Sequence, residues 1–479
     1  MKYLKGLIAI GVLAGLVLVH APRPARVMHT EVGTSKPARA KPVRRRAPND
    51  SASAAATEYA LVLRTRLPVH YPAWIDAYGF QQVPMPQAVH VGDATGDGLE
   101  DVVAVVGPFD SAGGTRLLRY ARDATGGLGT PLEIVLNGAG RVSATTSGRI
   151  DRSGRPVLVL ARTDEDSARV SMQVVHFGGG LRVDELDLDP VHGGLERLVM
   201  ADVDRDGDDD VLALAMSRGQ GGRPTRLALL LLRNDAGQLG YAGATPLADW
   251  MPGPVPPWTS LAAGDFDRDG RLDVALHWAA ETTSTDANPA APDQGALQLF
   301  KGDGTGRFTA DRRLASATDG VLAASLAAAD FDGDGREDLA GLAPQDGYYR
   351  LAMFLQGDAG LPAAPRMLPA TTAVRALEVR SHALLAADMD GDFRRDLVVR
   401  YASPDYLVGL QRHAGTPAYA DVLSGVAPPS APSAAGHLDP DACPELVIAT
   451  ANGLDILGSA RCPGERAPPM ATPLPPDVG

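Results

Sequence analysis

The 479-residue sequence predicts an all-β fold of repeated four-stranded sheets, and three observations carry that expectation. An acidic nine-residue segment recurs seven times, with starts at residues 93, 149, 202, 265, 330, 388 and 437, spaced 49 to 65 residues apart. Each copy leads into a run of consecutive apolar residues. Fifty-three glycines and 38 prolines supply many turns and disfavour long helices. Apolar residues make up 45% of the chain and aromatics only 5%, so Val, Leu and Ala are expected to build the core.

The chain opens with Lys2 and Lys5 before an apolar run from Leu7 to Val19. That run is short for a spanning helix and suits the core of a signal peptide. Residues 1–21 are therefore expected to be a signal peptide; Pro22 directly after Ala21 keeps an uncleaved signal anchor as the alternative. Residues 22–56 are rich in Pro, Ala and basic residues, end in Arg44-Arg45-Arg46 and lack periodicity, which reads as a disordered linker. It is either a solvated spacer or an electrostatic tether to an anionic surface. Residues 464–479 form a Pro-rich tail. Beyond residue 46 the chain holds 35 basic and 57 acidic residues, a net of −22, which argues against nucleic acid as a partner. Cys443 and Cys462 are the only cysteines and, in an exported chain, read as one disulfide.

The acidic segment is clearest at Asp330-Phe-Asp-Gly-Asp-Gly-Arg-Glu-Asp338. Its carboxylates, Asp330, Asp332, Asp334 and Asp338, repel one another unless a cation sits among them. Side-chain oxygens at positions 1, 3 and 5 with a further carboxylate match calcium, and the position-6 glycine turns the chain around an ion. Asp202, Asp204, Asp206 and Asp210 repeat the set, as do Asp265, Asp267, Asp269 and Asp273. Asp93, Thr95, Asp97 and Asp101 form a weaker copy. Asp388, Asp390, Asp392 and Asp396 keep all four acids but place Phe393 where glycine is expected. These five loops are the candidate calcium sites, about four or five ions in all. The copy at 149–157 keeps Asp151 and Gly154, and Arg149 is expected to pair with Asp151 in place of an ion; the copy at 437–445 keeps Asp439, Asp441 and Glu445. An EF-hand would require glutamate at position 12, where Ala213, Leu276 and Gly341 stand.

Short runs of small residues, such as Ser325-Leu-Ala-Ala-Ala, precede each loop, and apolar runs such as Val102–Val106 and Val211–Met216 follow. Two further strands per unit complete four, with the acidic loop joining the first to the second. Strands apolar on consecutive residues are covered on both faces, as in radially stacked blades. The expectation is a seven-bladed β-propeller of four-stranded antiparallel blades over residues 57–463. The last unit stops near Ile456-Leu-Gly without a fourth strand, and the stretch Tyr78-Gly-Phe-Gln-Gln-Val-Pro is expected to supply it.

The pattern strand, Asp-x-Asp-x-Asp-Gly-x-x-Asp, apolar strand, repeated about every 60 residues, resembles the FG-GAP or VCBS repeat of integrin α-chain propellers and secreted bacterial proteins. Phe300-Lys-Gly-Asp-Gly-Thr-Gly-Arg-Phe308 is similar to that family's turn between third and fourth strands. The resemblance spans roughly residues 75–460 and implies a calcium-stabilised propeller; the family includes adhesins, lectins and domains attached to enzymes.

No zinc-protease helix, nucleophile elbow or phosphate loop is present in the sequence, so the reading leans away from an enzyme. Trp250, Trp258 and Trp278 fall near one edge of the face opposite the acidic loops, beside the long loop 279–295. They are a candidate surface for a sugar ring or a protein loop; the alternative is packing between blades. The expected role is an exported, monomeric module, secreted, periplasmic or in the cell envelope, that recognises a cell-surface glycan or protein. A polysaccharide-processing enzyme or a purely structural envelope protein is the alternative. Membrane contact is expected only through an N-terminal anchor.

Overall fold

The fold was analysed in a computed structural model. It describes residues 61–459 and Cys462, apart from 70, 72, 76–78, 109–113, 139, 151–154, 165–168, 178–180, 189–193, 218–224, 251–257, 280–294, 315–322, 346–347, 370–380, 390, 392–393, 403–404, 412–421, 427–431, 440–442 and 451–452. The expected signal segment (1–21), linker (22–56) and tail (464–479) lie outside the described residues.

The chain is an all-β propeller of four-stranded antiparallel blades. An N-terminal strand β1 (Leu61–Pro68) and a small ladder of β2 (Trp74–Ile75) and β3 (Gln81–Gln82) come first. Blade one is β4 (Met85–Gly92), β5 (Asp101–Gly107), β6 (Thr115–Tyr120) and β7 (Leu132–Leu136). Blade two is β8 (Arg141–Gly148), β9 (Val157–Asp164), β10 (Arg169–His176) and β11 (Arg182–Asp187). Blade three is β12 (Gly194–Ala201), β13 (Asp210–Ser217), β14 (Thr225–Asp235) and β15 (Gln238–Trp250). Blade four is β16 (Trp258–Gly264), β17 (Asp273–Ala279), β18 (Gly295–Gly302) and β19 (Phe308–Leu314). Blade five is β20 (Ala323–Ala329), β21 (Asp338–Gln345), β22 (Tyr348–Phe354) and β23 (Arg366–Pro369). Blade six is β24 (Ser381–Ala387), β25 (Asp396–Ala402), β26 (Asp405–Gln411) and β27 (Val422–Val426). A further sheet is composite: β28 (Ser433–Gly436), β29 (Glu445–Thr450) and β30 (Gly453–Ser459) take β1 as their fourth strand.

Contiguous sequence thus builds six blades, not seven, and the remaining sheet joins the two ends of the described chain. The strand that completes it also differs from expectation. Leu61–Pro68 pairs with β30 from Leu61↔Ser459 to Pro68↔Gly453. The stretch 78–84 contributes only Gln81–Gln82, paired to Trp74–Ile75, and runs straight into β4. Eight residues carrying Arg64 and Arg66 make the better edge: Arg64 donates to Ser459 O (2.5 Å), and Arg66 binds the buried Asp455 carboxylate with Nη2 at 2.7 Å from Oδ2. β1 opens with the short apolar run Leu61-Val62-Leu63, but only Leu61 and Leu67 of the strand are buried, the pattern of an outer edge strand that carries no strong signal in the sequence.

First strands touch their neighbours in cyclic order: β4 on β8, β8 on β12, β12 on β16, β16 on β20, β20 on β24, β24 on β28 and β28 on β4. Apolar clusters fill the junctions between adjacent sheets. One joins Val211 and Leu230 of blade three to Val159 and Met172 of blade two; another joins Phe354 of blade five to Leu299 of blade four. Because each sheet is buried on both faces, its second strand is apolar at consecutive positions, as in the fully buried β5. Among the described residues no helix is long and apolar enough to cross a membrane.

Candidate metal loops and the seams between blades

Each acidic segment occupies the connection between the first and second strands of its sheet, as the spacing implies. The motif's unspecified second residue is buried in every copy: Ala94, Ile150, Val203, Phe266, Phe331, Met389 and Leu438. Each plugs the junction with the next sheet, so Phe266 packs among residues of blades four and five and Phe331 among those of blades five and six. Acidic loop and core therefore alternate residue by residue.

Position 4 as well as position 6 lies in the left-handed region. Gly96, Gly333 and Gly391 have φ of 78°, 78° and 76° at position 4, but Arg205 and Arg268 hold 64° and 65° there. A side chain in that conformation costs about 1 kcal/mol or more. The two loops that carry this strain also handle their first aspartate differently. Asp330 Oδ1 accepts from Gly333 and Asp334 N–H (2.7 and 3.1 Å) and Oδ2 from Gly335 N–H (2.8 Å). Asp93 is occupied in the same way by Gly96, Asp97 and Gly98. Asp202 and Asp265 instead use only Oδ2, from Gly207 N–H (3.1 Å) and Gly270 N–H (2.9 Å). Their Oδ1 atoms, and Asp204 Oδ1, are buried and accept no hydrogen bond.

Three sets of acids converge with one oxygen from each residue within 4.8 Å of the others: Asp202, Asp204 and Asp206; Asp265, Asp267 and Asp269; Asp330, Asp332 and Asp338. Lys301 Nζ stands 2.7 Å from Asp267 Oδ2 and holds that carboxyl below its usual range against the burial that raises it. In the loop at 93–101, Thr95 N–H donates to Asp101 Oδ2 (2.8 Å). In the loop at 388–396, Asp388 accepts from Gly391 N–H (2.8 Å), whereas Asp390, Asp392 and Phe393 lie outside the described residues. Asp151, Gly154 and Asp441 also lie outside them.

The last acid of the motif lies at the base of the loop; Asp338 converges with Asp330 and Asp332, whereas the sets at 202–206 and 265–269 are formed by positions 1, 3 and 5. Asp101, Asp210, Asp273, Asp338, Asp396 and Glu445 each open the second strand and are buried. One carboxylate oxygen accepts the N–H of position 2 in five of these loops, from Val203, Phe266, Phe331, Met389 and Leu438. The other accepts an N–H at the end of the third strand, from Arg122, Asn234, Gly302 and Gln356 in blades one, three, four and five. This residue pins three strands of its own blade. Burial raises its pKa, partly offset by those N–H donors: Asp210 and Asp338 stand at about 6 and Asp273 at about 7, with neighbouring loop carboxylates adding to the rise.

Position 8 supplies a second device that the sequence reading missed. Glu100, Asp209 and Glu337 each reach the preceding sheet and accept the N–H that opens its loop: His437, Arg149 (3.0 Å) and Asp265 (2.5 Å). At the same three seams a third-strand side chain donates to a carbonyl of that preceding loop. The pairs are Arg122 to His437 O (2.9 Å), Asn234 to Ile150 O (2.6 Å) and Gln356 to Asp265 O (2.7 Å). Glycine precedes each receiving loop because a Cβ would collide with the latch acid: at 148 it would lie 2.9 Å from Asp209 Oδ2, and at 436, 2.7 Å from Glu100 Oε2. A usable signal was present, since Gly148, Gly264 and Gly436 stand before the receiving loops.

Cys443 and Cys462 form a disulfide, with Cα atoms 5.8 Å apart, beside the last acidic loop. The backbone places Trp250, Trp258 and Trp278 at the strand ends remote from the acidic loops, by the pairings Thr225↔Trp250, Trp258↔Ala279 and Thr259↔Trp278. Their surroundings and the loop 280–294 lie outside the described residues.

The fold and the repeated loops define a β-propeller with acidic first-turn motifs. Residues 202–276 and 288–341 match the family model described as "FG-GAP-like repeat". No curated protein matches the sequence. Among solved structures, an exotype rhamnogalacturonan lyase, YesX, is 14% identical with a TM-score of 0.47, over 84% of this chain and 76% of that one. The BBS1N chain solved in complex with ARL6DN is 12% identical with a TM-score of 0.46, over 84% and 97%. A Bacillus licheniformis rhamnogalacturonan lyase is 14% identical with a TM-score of 0.46, over 84% and 75%.

Proposed function

We propose that the chain is an exported calcium-binding propeller, with the composite sheet closing a ring as its seventh blade, and that it works as a recognition module for a cell-surface glycan or protein. The observation that carries the calcium reading is the set of unpartnered, buried carboxylate oxygens on Asp202, Asp204 and Asp265. A buried anionic oxygen without a donor is costly, and a hard cation among three converging carboxylates removes that cost. Asp202, Asp204 and Asp206, with Asp265, Asp267 and Asp269, would hold ions first. Asp330, Asp332 and Asp338 form a third set, and Asp334 stays a candidate ligand there. The loops at 93–101 and 388–396 complete the proposed four or five sites. The disulfide and the FG-GAP-like repeats support export.

Thermal unfolding with excess calcium and with excess EGTA tests this reading. Extracellular calcium modules bind at about 0.1–1 mM, and tenfold excess over such a Kd adds about 1.4 kcal/mol per site. A melting temperature several degrees lower in EGTA is expected, and identical curves refute the calcium reading. The recognition role is tested with the Trp258→Ala and Trp278→Ala variants on a glycan array. Loss of binding with folding intact supports a ligand surface at that edge; loss of folding assigns those residues to packing. Cleavage of an offered polysaccharide, rather than its retention, would replace the module with an enzyme.

A further inference from the structure

The three latches grip loops of two kinds. In the loops at 149–157 and 437–445 the first position of the motif is Arg149 or His437, where an ion would need a carboxylate. The loops at 93–101, 202–210, 330–338 and 388–396 keep an aspartate there, and position 8 of the next sheet is Pro156, Leu272, Arg395 or Pro444, none of which offers a side-chain acceptor to an N–H. Latch and first carboxylate are thus alternatives in these six loops. The loop at 265–273 has both, four motif acids and the latch of Glu337.

Blade five holds that loop through the backbone of its first acid. Asp265 N–H donates to Glu337 Oε2 (2.5 Å), and Asp265 O accepts from Gln356 Nε2 (2.7 Å). One residue on, Phe266 O accepts Leu361 N–H (3.2 Å). That approach requires Gly360, whose φ is 84°, since a Cβ there would lie 3.0 Å from Phe266 O. Leu361 O in turn accepts Arg312 Nη2 of blade four (2.6 Å), so bonds run both ways between the blades. The Asp265 side chain is left with Oδ2 on Gly270 N–H and with Oδ1 buried and unpartnered, and its carboxylate converges with those of Asp267 and Asp269. Blade five supplies none of these three acids, yet it fixes the peptide groups on either side of the first. Groups that orient a metal's ligands set its affinity, and removing one typically costs about 10–100-fold.

We infer that Glu337 and Gln356 are positioning residues for the blade-four calcium site, so that the ion and the seam between blades four and five strengthen one another. The coupling rests on the calcium reading of this loop. By linkage, whatever factor the grip adds to calcium affinity, calcium returns to the grip.

The full-length chain, stripped with EGTA, would be titrated with calcium and followed by hydrogen exchange of peptides covering 202–210, 265–273 and 356–361. Calcium is expected to slow exchange in both acidic loops and also in the turn 356–361, which belongs to no acidic loop. Gln356→Ala is expected to raise the calcium midpoint of 265–273 by about tenfold or more and to abolish the calcium response of 356–361, with the midpoint of 202–210 unchanged in the same molecules. Glu337→Ala should shift the 265–273 midpoint in the same direction and gives a second reading should Gln356→Ala fold poorly. Glu337→Gln keeps an acceptor for Asp265 N–H and should retain the wild-type midpoint; a shift equal to that of Glu337→Ala assigns the effect to charge and overturns the positioning role. A wild-type midpoint at 265–273 in both alanine variants, an equal shift at 202–210, or no response of 356–361 in the unmodified chain overturns the coupling and leaves calcium binding intact. No calcium response in any acidic loop refutes the metal reading and the coupling with it.

Discussion

At the residue scale, carboxylates of one motif do two different jobs. Asp273 accepts Phe266 and Gly302 N–H groups inside the blade, while Asp269 is exposed and caps only its own turn. Removing the first strands two buried donors, each costing about 1–3 kcal/mol. We expect Asp273→Ala to destabilise by about 2–5 kcal/mol in EGTA and in calcium alike. Asp269→Ala should lower stability in calcium alone. Urea titrations under both conditions separate the two roles, and equal losses for Asp269→Ala with and without calcium would remove it from the metal set. A second pair of residues divides between rim and core. Asp455 is fully buried and Arg66 half-exposed. Arg66→Met should cost about 1–3 kcal/mol by weakening the compensation of a buried carboxylate, a figure kept low because solvent reaches the arginine. Phe331→Ala empties the junction of blades five and six and should cost about 3–5 kcal/mol, read from the shift in unfolding midpoint.

At the scale of the loop as an element, titration is the signature. Asp210, Asp273 and Asp338 have folded pKa values of about 6, 7 and 6, above the ordinary aspartate value, so without an ion the folded state binds protons more tightly than the unfolded state. That contribution is complete at pH values below the unfolded value near 4 and is lost as pH rises through 6 to 7. The chelated protein should therefore melt at higher temperature at pH 5 than at pH 8. In the loop at 330–338, where Asp338 converges with Asp330 and Asp332, calcium must displace this proton, so its stabilisation there should grow over the same interval. A chelated protein more stable at pH 8 than at pH 5 contradicts the assignment. The loop's location between first and second strands was legible because Asp-x-Asp-x-Asp-Gly-x-x-Asp sits between a small-residue run and an apolar run. The strain at Arg205 and Arg268 was not legible, since nothing in a side chain that normally avoids the left-handed region announces it. The burial of position 9 could have been inferred: it opens a strand whose next residues are all apolar.

Over the whole molecule, the four-stranded repeat and its stacking were readable from consecutive apolar residues, which only a sheet covered on both faces requires. Closure was read correctly as a joining of the chain's two ends, but not the strand that makes it, because Leu61–Pro68 is an edge and its pairing partners lie nearly 400 residues away. Long-range pairing of that kind leaves no local periodicity. The latched seams alternate around the fold: the composite sheet with blade one, blade two with three, and blade four with five. The three-to-four seam has Leu272 and Gly302 at the latch positions, neither able to make the contacts of Glu337 and Gln356. Glu337→Ala should consequently lower stability by about 1–2 kcal/mol, whereas Leu272→Ala should act only through lost packing. Hydrogen exchange would show the first loss on both flanks of one seam, at Asp265 N–H as well as within blade five.

The composite sheet also decides how the molecule bears a load. Tension arriving through the residues before Leu61 falls first on the Leu61↔Ser459 pair, an unzipping geometry in which ladder bonds break one after another rather than together. Arg64 and Arg66 stand just behind that opening end as crossbars to β30. On the other side, the disulfide fastens the chain three residues past Ser459 to buried Cys443, so β30 is anchored while β1 is peeled from it. Under force the rim strand is the fuse, and the bridge keeps the rest of the sheet from following it.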